Sequence, residues 1–134
     1  MTYLLDSNVW VAILRKKNPE VAVRYGATDR ADVRTCSVVV AELYYGCEKS
    51  AKPVENRGVL DALLAPVLCL PFDAVAADHF ARLRRYLETR GQAIGPYDTQ
   101  IAAIALANGC TLVTHNTSEF GRVPGLIVED WQNP

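Results

Sequence analysis

The sequence predicts an α/β protein with a five-stranded parallel sheet and helices on both faces, and three observations carry that prediction. Short apolar runs alternate with longer stretches whose apolar residues recur at three- and four-residue steps. Cap and turn residues, among them Asn18-Pro19, Asp73, Asn108-Gly109 and Pro124-Gly125, punctuate the alternation. At 134 residues the chain has the size of one domain, so residues 1–134 are read as a single unit. Strand and helix alternating within one unit imply right-handed crossovers.

Thr2 to Leu5 reads as the first strand, closed by Asp6, and Asn8 to Leu14 as a helix with Val9, Ala12 and Ile13 on one face. Asn18 caps a more polar helix that has proline at its first position and runs to about Thr28. Asp29 to Val33 reads as a loop, Thr35 to Ser37 as a second strand and Val38 to Lys49 as a helix, with β-branched Val38, Val39 and Val40 blurring its start. Pro53 opens a helix that Pro66 closes, and Val67 to Leu70 is the third strand. Asp73 caps a long amphipathic helix that Gly91 stops. After the loop Gly91 to Tyr97, Asp98 precedes Ile101 to Ala107, a stretch apolar all round and therefore a buried helix, with Asn108-Gly109 as its C-cap. Thr111 to Thr114 and Leu126 to Val128 complete the sheet.

Half of the residues are hydrophobic and 22% are charged, which excludes a disordered chain. No apolar run approaches the roughly 18 residues of a membrane span and the first residues do not resemble a secretion signal, so the protein reads as cytoplasmic. Cys36, Cys47, Cys69 and Cys110 have neither metal-ligand spacing nor a CxxC pair, and read as small buried hydrophobes. Nothing resembles a nucleophilic Ser elbow, and Gly91, Gly95 and Pro96 do not make a P-loop.

Parallel α/β sheets bind ligands outside the carboxyl ends of their strands. Asp6, Asp98 and Glu119 all fall at that end; for Asp6 and Asp98 helix capping is the competing explanation. Glu42 lies on a mostly apolar helical face, where an unpaired carboxylate is costly and either a buried Arg or a cation must satisfy it. Gly46, one turn on, leaves room above it. Carboxylates converging without a cation would repel one another, and a hard divalent ion removes that cost. Oxygen ligands point to Mg²⁺ or Mn²⁺, and the lack of clustered His or Cys argues against zinc.

The net charge of −1 argues against a binder driven by overall charge. With the four acids set aside, fourteen basic residues face eleven acidic ones, a net of +3, which suits a phosphodiester substrate. The runs Arg15 to Lys17 and Arg82, Arg84, Arg85, Arg90 are either solvated helix faces or a rim for phosphates, with Arg15, Arg82 and Arg85 the candidate phosphate contacts. His79 and His115 read as surface residues without partners. Trp10, Tyr44 and Tyr45, on the helix pair Val9 to Leu14 and Val38 to Tyr45, are either core or a surface for a partner segment.

The segments LLDSNVWVAIL, VVVAELYYGCEKS, GPYDTQIAAIALANG and LVTHNTSEFGRVPGLIVEDW resemble, in order and spacing, the PIN-domain ribonuclease toxins of VapC type, most closely their enteric branch. The resemblance implies a PIN-like fold and a Mg²⁺- or Mn²⁺-dependent endoribonuclease. It also implies a cognate VapB-type antitoxin, a homodimer, and an RNA substrate, with the anticodon region of initiator tRNA the target in close relatives. It carries the metal-site role onto Asp6, Glu42 and Asp98, with Asn8 supporting Asp6 and Thr114 orienting the site. Where the family often has Asp as its fourth acid, THNTSEF offers Asn116 and Glu119; Glu119 is favoured as the acid, acting through water, with Asn116 as a donor behind it. Ser7 replaces the more frequent Thr and keeps the hydroxyl.

Two other classes compete. A phospho-acceptor receiver domain would need an Asp after the third strand and a Lys after the fifth, but Leu70-Pro71-Phe72 follows the third and no Lys occurs beyond Lys52. A non-catalytic PIN-fold subunit that only binds protein is compatible with the sequence, although acids at the expected positions weigh against it.

Overall fold

The computed structural model describes residues 1–134. Its sheet has β1 (Tyr3–Leu5) at the centre, flanked by β2 (Val33–Cys36) and β4 (Thr111–Val113), with β3 (Leu68–Leu70) and β5 (Val128–Glu129) at the edges. All four pairings are parallel. Every strand therefore ends on the same edge of the sheet, and the residues that follow β1, β2 and β4 become neighbours. The helices are α1 (Ser7–Arg15), α2 (Pro19–Ala27), α3 (Ser37–Glu48), α4 (Pro53–Leu64), α5 (Ala74–Thr89), α6 (Pro96–Asn108) and α7 (Thr117–Phe120). None is long and apolar enough to cross a membrane.

One core holds these layers together. Leu4, Leu5, Leu112 and Val113 of the two central strands are fully buried, and so are Ile101 to Ala105 of α6. That run explains why α6 is apolar all round: α5 covers it on one side while α3 and β4 pack against it elsewhere. It ends as the sequence predicts, with Gly109 left-handed at φ 63°, a conformation a side chain would strain.

Three predicted boundaries need correction. β2 starts at Val33, preceded by a 3₁₀ turn at Arg30–Asp32, so the expected loop is partly strand and Ser37 already belongs to α3. Val33 is a fully buried strand residue, and its charged neighbours Asp32 and Arg34 had masked it. β5 is Val128–Glu129 and not Leu126–Val128, because the backbone N–H groups of Leu112 and Thr114 bond to Ile127 and Glu129. The four-residue α7 is too short to show a periodicity.

The cysteine expectation holds for Cys36 and Cys110, which are buried, but Cys47 is half-buried and Cys69 exposed. Burial pushes the Cys36 thiol up to about 11, so it is inert at neutral pH.

Candidate active site

Asp6 leaves the central strand and enters α1, whose first turn its carbonyl opens by accepting from the amides of Val9 and Trp10. Its side chain is only 6% exposed, and each oxygen has a partner. Oδ1 accepts from the Ser7 amide at 2.8 Å, and Oδ2 accepts from the Thr114 hydroxyl at 2.9 Å. Thr114, buried just past β4, accepts in turn from the Asn116 amide at 3.0 Å. Asp6 does cap its helix, but the Thr114 bond from the neighbouring strand also fixes the rotation of its carboxylate, which capping alone does not require.

Glu42 reaches the same place from α3. Its Oε1 lies 3.2 Å from the Ser7 hydroxyl, and that hydroxyl lies 3.4 Å from Asp6 Oδ1. Ser7 thus stands between the two acids, a link that the substitution for Thr preserves. Burial raises the Glu42 carboxyl above its ordinary range, the Ser7 hydrogen bond opposes the shift and the nearby Asp6 adds to it. No Arg satisfies Glu42, since none of the five ion pairs of the chain includes any of the four candidate acids. The space predicted above Gly46 is real: a methyl added there would meet nothing within 4 Å.

Asp98 is not a cap. Gly95 holds that position, and Asp98 sits in the first turn of α6 without a hydrogen bond of its own. Burial, then the charges of Asp6, Glu42 and Glu119, raise its carboxyl to about 6. Asp98 therefore lies within electrostatic reach of the other three acids. Glu119, on α7, has its Oε2 held at 3.2 Å by the Asn116 side-chain amide. In this contact Asn116 is the donor and Glu119 the acceptor.

The donor set is all carboxylate oxygen, uncompensated by any cationic side chain, which is the chemistry a hard divalent ion fits. The pocket is open: no three His, Cys, Asp or Glu side chains close around a single point as a ready-made ligand shell. The supporting hydrogen bonds to Asp6 and Glu119 orient those two acids, whereas Asp98 remains free to turn.

Other expectations divide. Asn8 and Arg15 line a groove that opens beside Ser7 and Glu42 between α1, α3 and α4. Arg82 and Arg85 do not; both are exposed on α5, where Arg82 pairs with Asp78 at 2.8 Å, the behaviour of a solvated helix face. Trp10 is fully buried and stacks edge-on against Tyr25 with centroids 5.7 Å apart, so it is core and not a partner surface. Tyr44 is half-buried under Arg57, while Tyr45 is exposed in the groove. His115 is exposed but not alone: its Nδ1 lies 2.9 Å from Asp130 Oδ2. Fifteen residues of separation hid that pair, and only the adjacency of β4 and β5 reveals it.

The chain matches the PIN domain family over residues 3–126. It is 36% identical over 131 residues to the tRNA(fMet)-specific endonuclease VapC of Shigella flexneri, covering 98% of each chain. It is also 36% identical over 137 residues to Ribonuclease VapC2 of Rickettsia felis, again covering 98% of both. Its fold superimposes with a TM-score of 0.91 on the DNA-bound VapBC structure from Salmonella typhimurium, at 33% identity and 98% coverage of each chain. A TM-score of 0.90 relates it to the promoter-bound VapBC2 structure of Rickettsia felis, at 35% identity, covering 98% of this chain and 99% of that one. With nearly the whole chain matched and its acids gathered at the carboxyl edge of a parallel sheet, this protein belongs to the PIN-domain family, within its VapC group of ribonucleases.

Proposed function

We propose that this VapC-group protein is a Mg²⁺- or Mn²⁺-dependent endoribonuclease that cleaves tRNA in its anticodon region and is kept silent by a VapB-type antitoxin. The observation that carries the reading is the pocket of four acids with no cationic partner. Asp6, Glu42 and Asp98 would hold the ion directly and Glu119 through water. When bound, the cation supplies a water-derived nucleophile at neutral pH and neutralises charge gathering on the phosphodiester oxygens.

The chain's own groups do the positioning. Thr114 and the Ser7 amide lock the Asp6 carboxylate from both sides, and Asn116 fixes Glu119. The Ser7 hydroxyl keeps Glu42 within reach of Asp6. A carboxylate already oriented loses little freedom when it acts. The relatives named for tRNA(fMet) supply the substrate proposal, and the neighbours solved as VapBC supply the antitoxin. Incubating antitoxin-free protein with total RNA and Mg²⁺, then sequencing the new ends, tests activity and substrate together. Intact RNA across the transcriptome would leave the protein-binding subunit as the better reading.

Added Mg²⁺ or Mn²⁺ should raise the melting temperature, because a cation that neutralises clustered acids binds the folded state preferentially. Glu42→Gln should shrink the rise, as a carboxamide keeps the shape and loses the charge. A scanning-fluorimetry titration checks this, and an unchanged shift in both Asp6→Asn and Glu42→Gln proteins places the cation elsewhere. Purified from its native operon, the protein should emerge with a small partner chain and as a dimer. Size-exclusion chromatography with light scattering showing only free monomer would count against the partner and the dimer alike.

A further inference from the structure

The chain has six tyrosines, and five of their rings are already engaged. Tyr3 packs edge-on against Trp131, and Tyr25 against Trp10. Tyr44 lies under Arg57 at 3.3 Å, Tyr86 under Arg90 at 3.5 Å, and Tyr45 carries the Lys49 ammonium at 5.1 Å. Tyr97 is the exception. No aromatic ring or cation faces it and its hydroxyl has no hydrogen-bond partner, yet it is 61% exposed. It also immediately precedes Asp98 in the first turn of α6, and shares the lining of one groove with Glu42.

Tyr97 lines the groove that Ser7 and Glu42 enter, and Tyr45, 66% exposed, lines it too. The groove encloses about 1210 Å³, above the range of roughly 300–1,000 Å³ usual for one small ligand. It has room for a chain of linked units. Arg15 and Lys49 also line it, and neither is committed to an ion pair. A flat ring in the groove that Glu42 enters, with Arg15 unpaired and Lys49 held only over the Tyr45 ring along the same groove, is the arrangement by which single-stranded nucleic acid is held: bases stack and phosphates meet the cations. A folded duplex presents no free base face to such a ring.

We infer that Tyr97 is a stacking platform for an unpaired base next to the scissile phosphate, with the strand continuing past Tyr45 toward Arg15 and Lys49. The inference rests on the ribonuclease reading and specifies its substrate as an unstacked single strand. The ring is the working part, so Tyr97→Phe should behave as the unchanged protein while Tyr97→Ala should not. Losing a base–aromatic stack costs about 5- to 150-fold in affinity, so Tyr97→Ala should raise KM about tenfold with a smaller change in kcat. Because the side chain is largely exposed, the melting temperature should barely move.

The test uses antitoxin-free protein carrying Asp98→Asn, so that the probe survives, and an unstructured RNA nonamer labelled with fluorescein or with 2-aminopurine at successive positions. Binding by anisotropy, together with quenching of 2-aminopurine at one position, is expected for Asp98→Asn alone and with Tyr97→Phe. With Tyr97→Ala, affinity should fall about tenfold and the quenching should vanish. Unchanged affinity and quenching would overturn the inference, as would a Tyr97→Ala protein that loses a co-purifying protein partner but keeps the RNA. If quenching depends on Tyr97 while the protein with Asp98 intact cuts no RNA, the ribonuclease reading fails and the stacking site stands. If cleavage persists and Tyr97→Ala leaves KM unchanged, the stacking site fails alone.

Discussion

If Asp98 holds the proposed cation, Asp98→Asn should lower cleavage by on the order of a thousandfold or more, since several kcal/mol of charge stabilisation would depend on that ion, while making the metal-free protein more stable. The two signs come from one cause. Burial and the neighbouring acids lift the Asp98 carboxyl to about 6, so above that pH the folded state carries a charge it disfavours. Asn removes that charge and little else, because Asp98 makes no capping hydrogen bond for Asn to lose. The small benefit of a negative charge in the first turn of a helix is outweighed.

The pH dependence follows with its sign. An acid raised on folding is destabilising where it is ionised in both states, and neutral in its effect where it is protonated in both. In EDTA, the Asn variant should therefore melt higher at pH 8, by about 1 kcal/mol or roughly 3 °C after allowing for solvent screening. The advantage should fade as pH drops through 6 and vanish near 4. A variant that melts lower at pH 8 would show that Asp98 is structural. Full activity would remove it from the mechanism.

How far the sequence alone reaches differs between fold and site. The sheet was legible because buried parallel strands and all-apolar α6 leave signals in composition that no other class shares. Its edges were not: β2 begins inside the polar stretch Arg30–Arg34, and β5 is defined by bonds from β4 and not by its own residues. In the sequence Asp6, Asp98 and Glu119 stand out as strand-end carboxylates and Glu42 as one on an apolar helical face. The contacts hidden from the sequence, Ser7 between two acids and His115 on Asp130, depend on side chains brought together across the sheet edge. The sequence left Trp10 open between core and partner surface because an aromatic on an amphipathic helix carries no label for which neighbour covers it; Tyr25 does.

The largest chemical consequence concerns the ends of the product, which should be 5′-phosphate and 3′-hydroxyl, with cleavage lost in excess EDTA. The alternative is attack by the RNA's own ribose 2′-hydroxyl, which needs a base at that hydroxyl and an acid at the departing oxygen. The chain has two histidines, and only His115 is held by a carboxylate; His79 lies on α5 and pairs with nothing. One imidazole bound to Asp130 can serve one end of such a reaction and leaves the other unserved. Hydrolysis by a cation-supplied nucleophile would need neither: on the proposed reading the four carboxylates would hold the ion, and Thr114 and Ser7 fix the carboxylate of Asp6. His115→Ala offers the decisive comparison. If the metal-site acids carry the reaction, this variant should keep most of its kcat and its 5′-phosphate ends, whereas Asp6→Asn should lose both. Ends bearing 2′,3′-cyclic phosphate, or cleavage that survives EDTA but not His115→Ala, would transfer the chemistry from the carboxylates to the imidazole.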